Sequence, residues 1–465
     1  MPSQVLVLGA GLSGLSCAFD LARAGRDVRV LEAAPRAGGV VGTLAREGYL
    51  FEMGPHTLQA SSENFRRLAG DLGLAERLIA SRPEGRERYL WHQGALRALP
   101  SSIPSMITTP LLSLGGKLRI ATEILRRYTP PADGSEPDME SFLVERLGRE
   151  AALRLGGAFV RGVYAAELRD LGAASAFPRM YAAARDHGGL VRGLAFKKKA
   201  KSEPLPGPDV PRMDLLSFPG GLQELVDALS KELGARLLLD QAALSIERAG
   251  ELWRVKTKSG VHEARELVLA LPVLPALELL RSAGIQASEF ALVRHAQVVM
   301  VHAGFARADL PSFPRGFGFL VPPPQAGSGP GPRALGMIFA SNLFVGRAPE
   351  DCVSVAGFYR GEELEALDES ARIAQAGRDL ALALGLGEPP RPLVGATRSW
   401  KNVIPRYSTG HRARVRGLCA TLTQRASGVH LAGPWVDGVS VEMVIARGRR
   451  VARALLEGTS SEPAP

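Results

Sequence analysis

Gln4-Val-Leu-Val-Leu8-Gly9-Ala10-Gly11-Leu12-Ser13-Gly14 decides how this chain begins to fold. Its first five residues read as a buried strand, and the spacing of Leu15, Cys17, Ala18, Leu21 and Ala22 behind it reads as a helix. Each glycine between them has its own task. Gly9 allows the tight turn, Gly11 lets a pyrophosphate approach the backbone, and Gly14 lets helix and strand pack closely, with phosphate at the helix amino end. A second strand, Asp27-Val-Arg-Val-Leu31, ends in Glu32, eighteen residues past Gly14, where a carboxylate can accept hydrogen bonds from a ribose.

Glu32-Ala33-Ala-Pro-Arg36-Ala-Gly38-Gly39-Val40 continues with an arginine four residues after that carboxylate and paired glycines that let the chain pass a bulky ligand. This ExxxRxGG extension resembles the FAD-binding amine-oxidase-like flavoproteins. The resemblance implies FAD, held by Gly9, Ala10, Gly11, Leu12, Ser13, Gly14, Glu32, Ala33, Arg36, Gly38, Gly39 and Val40. It also implies that the turn Gly54-Pro55-His56-Thr57 approaches the isoalloxazine ring and that the backbone at Ala243 lies on the adenine side. A single loop histidine such as His56 reads more readily as a backbone contact than as a general base.

At the far end, Gly428-Val-His-Leu-Ala-Gly433 reads as a strand, and Gly438-Val439-Ser440-Val441 opens an amphipathic helix through Val444, Ile445, Val451 and Leu455. Free N–H groups at such a helix start stabilise negative charge on a reduced flavin. Two FAD elements more than four hundred residues apart match the discontinuous domain of this superfamily. The expected fold is therefore α/β: a Rossmann-like discontinuous FAD-binding domain, a mixed α+β substrate domain and a helical insertion that contacts a membrane.

The chain has 465 residues, enough for two or three domains, with 46% hydrophobic and 22% charged residues. Disorder is excluded as a global reading. Aromatic residues are only 6%, which argues against a stacking platform for nucleic acid. Cys17, Cys352 and Cys419 are too few and scattered for a disulfide framework, and the eight histidines show no metal spacing, so a reducing compartment and no metal are expected. Met1 to Leu8 lacks the charged start of a signal peptide. The uncharged-looking stretch Ala98–Gly116 is broken by Pro100, Pro104 and Pro110 and makes a poor spanning helix.

Five segments follow from these signals: FAD-binding parts at 1–87, 212–289 and 420–465, a helical insertion at 88–211 and a substrate domain at 290–419. Inside them, Arg88-Tyr-Leu-Trp91, Gly162-Val-Tyr-Ala-Ala-Glu167, Gly316–Pro322, Leu335-Gly-Met-Ile338, Phe358-Tyr-Arg-Gly361 and Ile404–His411 resemble, in this order, the protoporphyrinogen oxidase family. That resemblance implies a porphyrinogen substrate, molecular oxygen as acceptor and hydrogen peroxide as product, in haem synthesis. It places Arg88 against a substrate propionate and Leu320, Ile338 and Phe358 against the macrocycle, with Phe317, Gly162 and Ala166 nearby. Ala166 stands where the family usually has glycine. A large apolar ring edged with carboxylates needs apolar walls and a cation, which agrees with this set.

The family chemistry is hydride loss from a methylene bridge to flavin, and an electron-rich substrate needs no strong base, so no catalytic acid or base is nominated. Coproporphyrinogen is the alternative substrate; a flavin amine oxidase, a carotenoid desaturase and a basic nucleic-acid binder are the alternative functions. The net charge of +10 then points to location. Nucleic acid is the least favoured partner, and an anionic membrane surface is expected to meet Lys197, Lys198, Lys199, Lys201 and the Ala98–Gly116 stretch. The expected place is cytoplasmic, peripheral on the inner membrane, with a homodimer left open.

Overall fold

A computed structural model describes residues 3–195, 204–290, 293–324, 329–459 and 461–463. Ser3–Leu8 lies between Val28–Leu31 and Val261–Leu269 as parallel strands, with Leu237–Leu238 outside Val28–Leu31. Val429–Leu431 joins Val261–Leu269 in parallel, and Leu252–Lys256 and Ser245–Ala249 complete this sheet as an antiparallel pair. Both faces of the central strand are covered, which is why Val5 to Leu8 runs continuously apolar instead of alternating. The first helix, Leu12–Arg23, and the last, Val441–Glu457, pack together on this sheet. They cross so closely that a Cβ on Gly448 would stand 2.1 Å from the Ser13 carbonyl oxygen. Ser13 Oγ also donates to the Ala432 carbonyl at 2.6 Å, so the two ends of the chain build one domain.

The second sheet runs in the order Val394–Pro405, His295–Ala306, Cys352–Arg360, Gly336–Ile338, Gly318–Leu320, Arg88–His92 and Ala95–Ala98. Strand side chains alternate between faces, so register assigns each residue to a side. Val299, Val301, Val353, Val355, Tyr359, Phe319 and Met337 fill the outer face beneath the helix Glu369–Leu384. Met300 lies opposite both Phe358 and Arg398, Gly336 opposite Phe358, and Gly318 opposite both Ile338 and Arg88. Those residues share the inner face, which is turned toward the first domain.

Two boundaries differ from the sequence-based ones. Arg88–His92 and Ala95–Ala98 are strands of the second sheet, so the helical part begins after Ala98 and not at 88. Two pairing partners far along the chain recruit them, a signal that local pattern does not carry. The boundary at 419 falls within the helix His411–Arg425, whose Val415, Leu418 and Leu422 pack into the core beside the first sheet. Ala243 lies in the segment just before the strand Ser245–Ala249.

The helical part contains Ile103–Thr108, Leu114–Ala121, Met139–Leu147, Gly157–Tyr164 and Pro178–His187. Ser102, Ser113 and Asp138 start three of these helices by accepting backbone N–H bonds in their first turns. Met139, Phe142, Tyr128 and Tyr164 form its core, and Arg146 Nε donates to the buried Glu123 Oε1 at 2.9 Å. Among the described residues no helix is long and apolar enough to cross a membrane, and no cluster of three metal-ligating side chains occurs. The three cysteines are unpaired. Lys197, Lys198, Lys199 and Lys201 lie outside the described residues.

Candidate active site

Between the two sheets lies a cavity of about 750 Å³, and its two walls are built differently. On the first-domain side the wall is rich in glycine: Gly9, Gly11, Leu12, Ser13, Glu32, Ala33, Arg36, Gly38, Gly39, Val40, Gly54, Pro55, Ala243, Val439 and Val441 are among the residues that line it. The helix from Leu12 has no side-chain cap at Gly11, so its first-turn N–H groups are available to an anion. Glu32 sits where the second strand ends. Its two oxygens accept from Ala10 N at 2.7 Å and Ala34 N at 2.9 Å, which fixes the carboxylate at the cavity edge. Arg36 organises the following loop by donating to the carbonyls of Ala37, Gly39 and Val41. Burial, and next repulsion from Arg398, hold its guanidinium below the ordinary arginine value. Gly54 passes so near this loop that a Cβ would stand 1.9 Å from the Val40 carbonyl oxygen.

The opposite wall is made of side chains from the inner face of the second sheet, with Ala296, Val298, Met300, Leu335, Phe358 and Trp400 on it. Trp400 Nε1 donates to the Met53 carbonyl at 2.8 Å and ties this wall to the loop before Gly54. Gly162, Val163 and Ala165 add the end of the helix Gly157–Tyr164. Gly162 admits Leu320 beneath that helix, for a Cβ there would meet Leu320 Cδ2 at 2.3 Å.

Several residues singled out in the sequence lie off the wall. Ala10 and Gly14 stand behind it: Ala10 positions Glu32, and a Cβ on Gly14 would lie 2.0 Å from the Gly9 carbonyl oxygen. Gly433 permits the close crossing over Leu271, and Ser440 caps the last helix by accepting from Met443 N at 3.2 Å. Thr57 also falls outside the lining. His56 turns away from it, with Nδ1 3.0 Å from the Gly54 carbonyl oxygen, and stacks on His302 with ring centroids 5.6 Å apart. Burial pushes the His56 pKa down to about 4 and His302 well below the usual histidine value, so both rings are neutral near pH 7.

On the substrate side, Gly162 and Phe358 line the cavity, whereas Arg88, Ala166, Phe317, Leu320 and Ile338 do not. Ala166 is fully buried in the helical core, and Leu320 packs with Leu90, Leu111 and Ala158. Phe317 and Ile338 pack beside Leu215, Leu343 and Phe344. Arg88 is exposed, with its guanidinium carbon 5.4 Å from the Phe317 ring centroid. Register nevertheless keeps Arg88, Leu320, Ile338 and Phe358 on one sheet face, so the row continues the cavity wall outward. Sequence reasoning missed Ala296, Val298, Met300, Arg398 and Trp400. The alternation in Ala296-Gln-Val298-Val-Met300 was the available signal for three of them.

The cradle fits an extended dinucleotide. Glycines press the backbone against the space, a helix start offers N–H groups, and a fixed carboxylate stands at the ribose position. Residues 12–456 match the model of the family described as flavin containing amine oxidoreductase. The chain is 31% identical over 459 residues to the chloroplastic protoporphyrinogen oxidase of Nicotiana tabacum, covering 94% of this chain and 82% of that one. It is 25% identical over 473 residues to the coproporphyrinogen III oxidase of Bacillus subtilis, covering 96% of each. A crystal structure of an Exiguobacterium protein has the same fold, with a TM-score of 0.81 at 22% identity over 98% of this chain and 99% of that one.

Proposed function

The chain belongs to the flavin containing amine oxidoreductase family, and on that premise we propose that it oxidises protoporphyrinogen IX to protoporphyrin IX, with oxygen as acceptor. It is a FAD-dependent oxidoreductase acting on porphyrinogens in haem biosynthesis. The observation that carries the reading is the cavity itself, with a glycine and backbone wall for the cofactor facing an aliphatic and aromatic wall for a large apolar ring.

Gly9, Gly11, Glu32 and the first turn after Gly11 would hold the cofactor's phosphates and ribose, and Gly39, Gly54, Pro55 and Val441 its ring. When bound, FAD supplies a two-electron acceptor for the hydride of a methylene bridge. The protein's own work is placement. Phe358, Met300, Leu335 and Val298 exclude water and press the macrocycle toward the cofactor side, which lowers the entropic part of the barrier. No acid or base is assigned. His56 is neutral and outside the lining, with Nδ1 at the Gly54 carbonyl and its ring edge-on to Phe358.

Anaerobic addition of protoporphyrinogen to the yellow protein tests the reading. Flavin absorbance should bleach, and porphyrin fluorescence and peroxide should appear when oxygen is admitted. Bleaching by amines but not porphyrinogens would overturn it. Coproporphyrinogen III is the second reading, favoured by the Bacillus relative, and faster bleaching by that substrate would select it.

The proposed location is the cytoplasmic face of an anionic membrane. Ile103, Ile107, Leu114, Leu118 and Leu125 are each at least 65% exposed on adjoining helical turns, beside Lys117, Arg126 and Arg127. An apolar ridge with flanking cations suits the bilayer interface. Flotation with anionic liposomes should be lost in the Ile103→Ser/Leu114→Ser/Leu118→Ser variant; unchanged flotation would remove this surface from the proposal.

A further inference from the structure

Among the described residues, four charged side chains line the cavity: Glu32, Arg36, Glu278 and Arg398. Their partners set them apart. Glu32 is spent on the Ala10 and Ala34 amides, and Arg36 on three carbonyls of its own loop. The Arg398 side chain makes no hydrogen bond and no ion pair with any described residue. Its guanidinium carbon lies 4.5 Å from the Trp400 ring centroid, and Trp400 is itself held by the Met53 carbonyl. Stacking orders the planar fork while leaving its donors unused in the plane, the arrangement suited to an oxyanion.

Position adds a second argument. Arg398 lies opposite Met300, which lies opposite Phe358, so the cation and the aromatic wall share one inner face two strands apart, about 10 Å. Arg398 and Arg36 repel one another across the same cavity, and an anion between them would relieve that repulsion. The side chain is exposed, so solvent and an entering anion both reach it.

We propose that Arg398 is an anion-recognition residue of the cavity mouth, taking a phosphate or carboxylate oxyanion with its stacked guanidinium. Two sources present that chemistry, the pyrophosphate of the cofactor and a propionate of the tetrapyrrole, so the inference rests on the porphyrinogen reading only for the second. If the pyrophosphate is the ligand, Arg398 is a clasp across the two domains, because it comes from the substrate sheet while the phosphate cradle comes from the first domain.

The experiment uses purified holoenzyme of the wild type, Arg398→Gln and Arg398→Lys. One arm measures FAD dissociation on dilution at 50 and 300 mM salt; the other titrates protoporphyrin IX, coproporphyrin III and their methyl esters by flavin fluorescence. A pyrophosphate ligand is shown by FAD release about tenfold easier in Arg398→Gln, with a flatter salt dependence, porphyrin affinity unchanged and partial recovery in Arg398→Lys. A propionate ligand is shown by about tenfold weaker binding of the free acids, unchanged binding of the esters and FAD retained. The proposal is overturned if FAD and free-acid affinities all stay within twofold of wild type, or if the esters weaken as much as the acids. Wild-type bleaching by porphyrinogen, run alongside, reports separately on the proposed activity.

Discussion

The two walls of the cavity solve recognition in opposite ways. The first-domain wall is rich in glycine and tightly backed: at Gly9 and Gly54 on it, and at Gly14 and Gly433 behind it, a Cβ would meet another backbone atom at 2.6 Å or less. The second-sheet wall is made of side chains, Phe358, Met300, Leu335 and Trp400, standing on strands whose own packing lies on the far face. A backbone wall tolerates almost nothing, because the offending atom cannot rotate away. A side-chain wall is adjustable, because each residue can change without moving the sheet that carries it. The comparison predicts that substitutions of similar size have very unequal effects on the two sides.

The largest effect should come from Gly14→Val, where the new Cβ falls 2.0 Å from the Gly9 carbonyl oxygen. Overpacking of this kind costs about 1–3 kcal/mol or more and displaces the turn that meets the phosphates. The purified variant should lose at least about 90% of its flavin absorbance and melt several degrees lower; full flavin content would break the contrast. On the other wall, Phe358→Ala removes a contact of about 1.5–3 kcal/mol, so KM for porphyrinogen should rise at least about tenfold with flavin content unchanged. Loss of flavin there would show that the walls are not independent.

A pH titration sharpens the boundary between them, where His56 stacks on His302. Their folded pKa values are depressed, to about 4 for His56, so between the unfolded value near 6.5 and pH 4 the unfolded chain binds more protons. Their stabilisation is present above about pH 6.5 and lost as pH falls toward 4. Glu52 nearby, pushed up to about 7 chiefly by burial, acts in the opposite sense, favouring the folded state below its unfolded value and losing that contribution as pH rises through 7. With two histidines against one carboxylate, Tm should fall from pH 7 to pH 5, and the fall should be shallower in His302→Leu. An identical slope would remove the pair from the boundary.

The smallest effect is expected at Arg88. It is exposed and outside the enclosed wall, so Arg88→Ala should raise porphyrinogen KM about two- to threefold while FAD stays bound. A tenfold effect would show that the row from Phe358 through Ile338 and Leu320 to Arg88 is covered by substrate along its whole length.

The same contrast explains what could be read from the sequence. Gly9, Gly11, Glu32 and Gly39 were legible because each answers a local conformational demand within forty residues of chain. Phe358 and Gly162 were reached through family resemblance. Arg398 and Trp400 were not, because the face they share with Met300 is set by register between strands separated by as much as a hundred residues. The strands Arg88–His92 and Ala95–Ala98 escaped for the same reason and were absorbed into a helical insertion. The resemblance named Arg88 and Ile338 as substrate contacts, and register puts them on one sheet face outside the cavity lining; enclosure depends on what packs above the sheet, and periodicity carries no information about that.

The crossing of the first and last helices, with Gly448 against Ser13, also sets an order of events during synthesis. The turn at Gly9 to Gly14 leaves the ribosome early, yet the strand Val429–Leu431 and the helix beginning at Val441 that complete its surroundings are made last. At about 5–20 residues per second the unfinished cradle waits roughly 20–90 s for its closing elements. Its exposed apolar strands are therefore a period of vulnerability for the nascent chain, and the complete cradle is available to a cofactor only after both closing elements have been made.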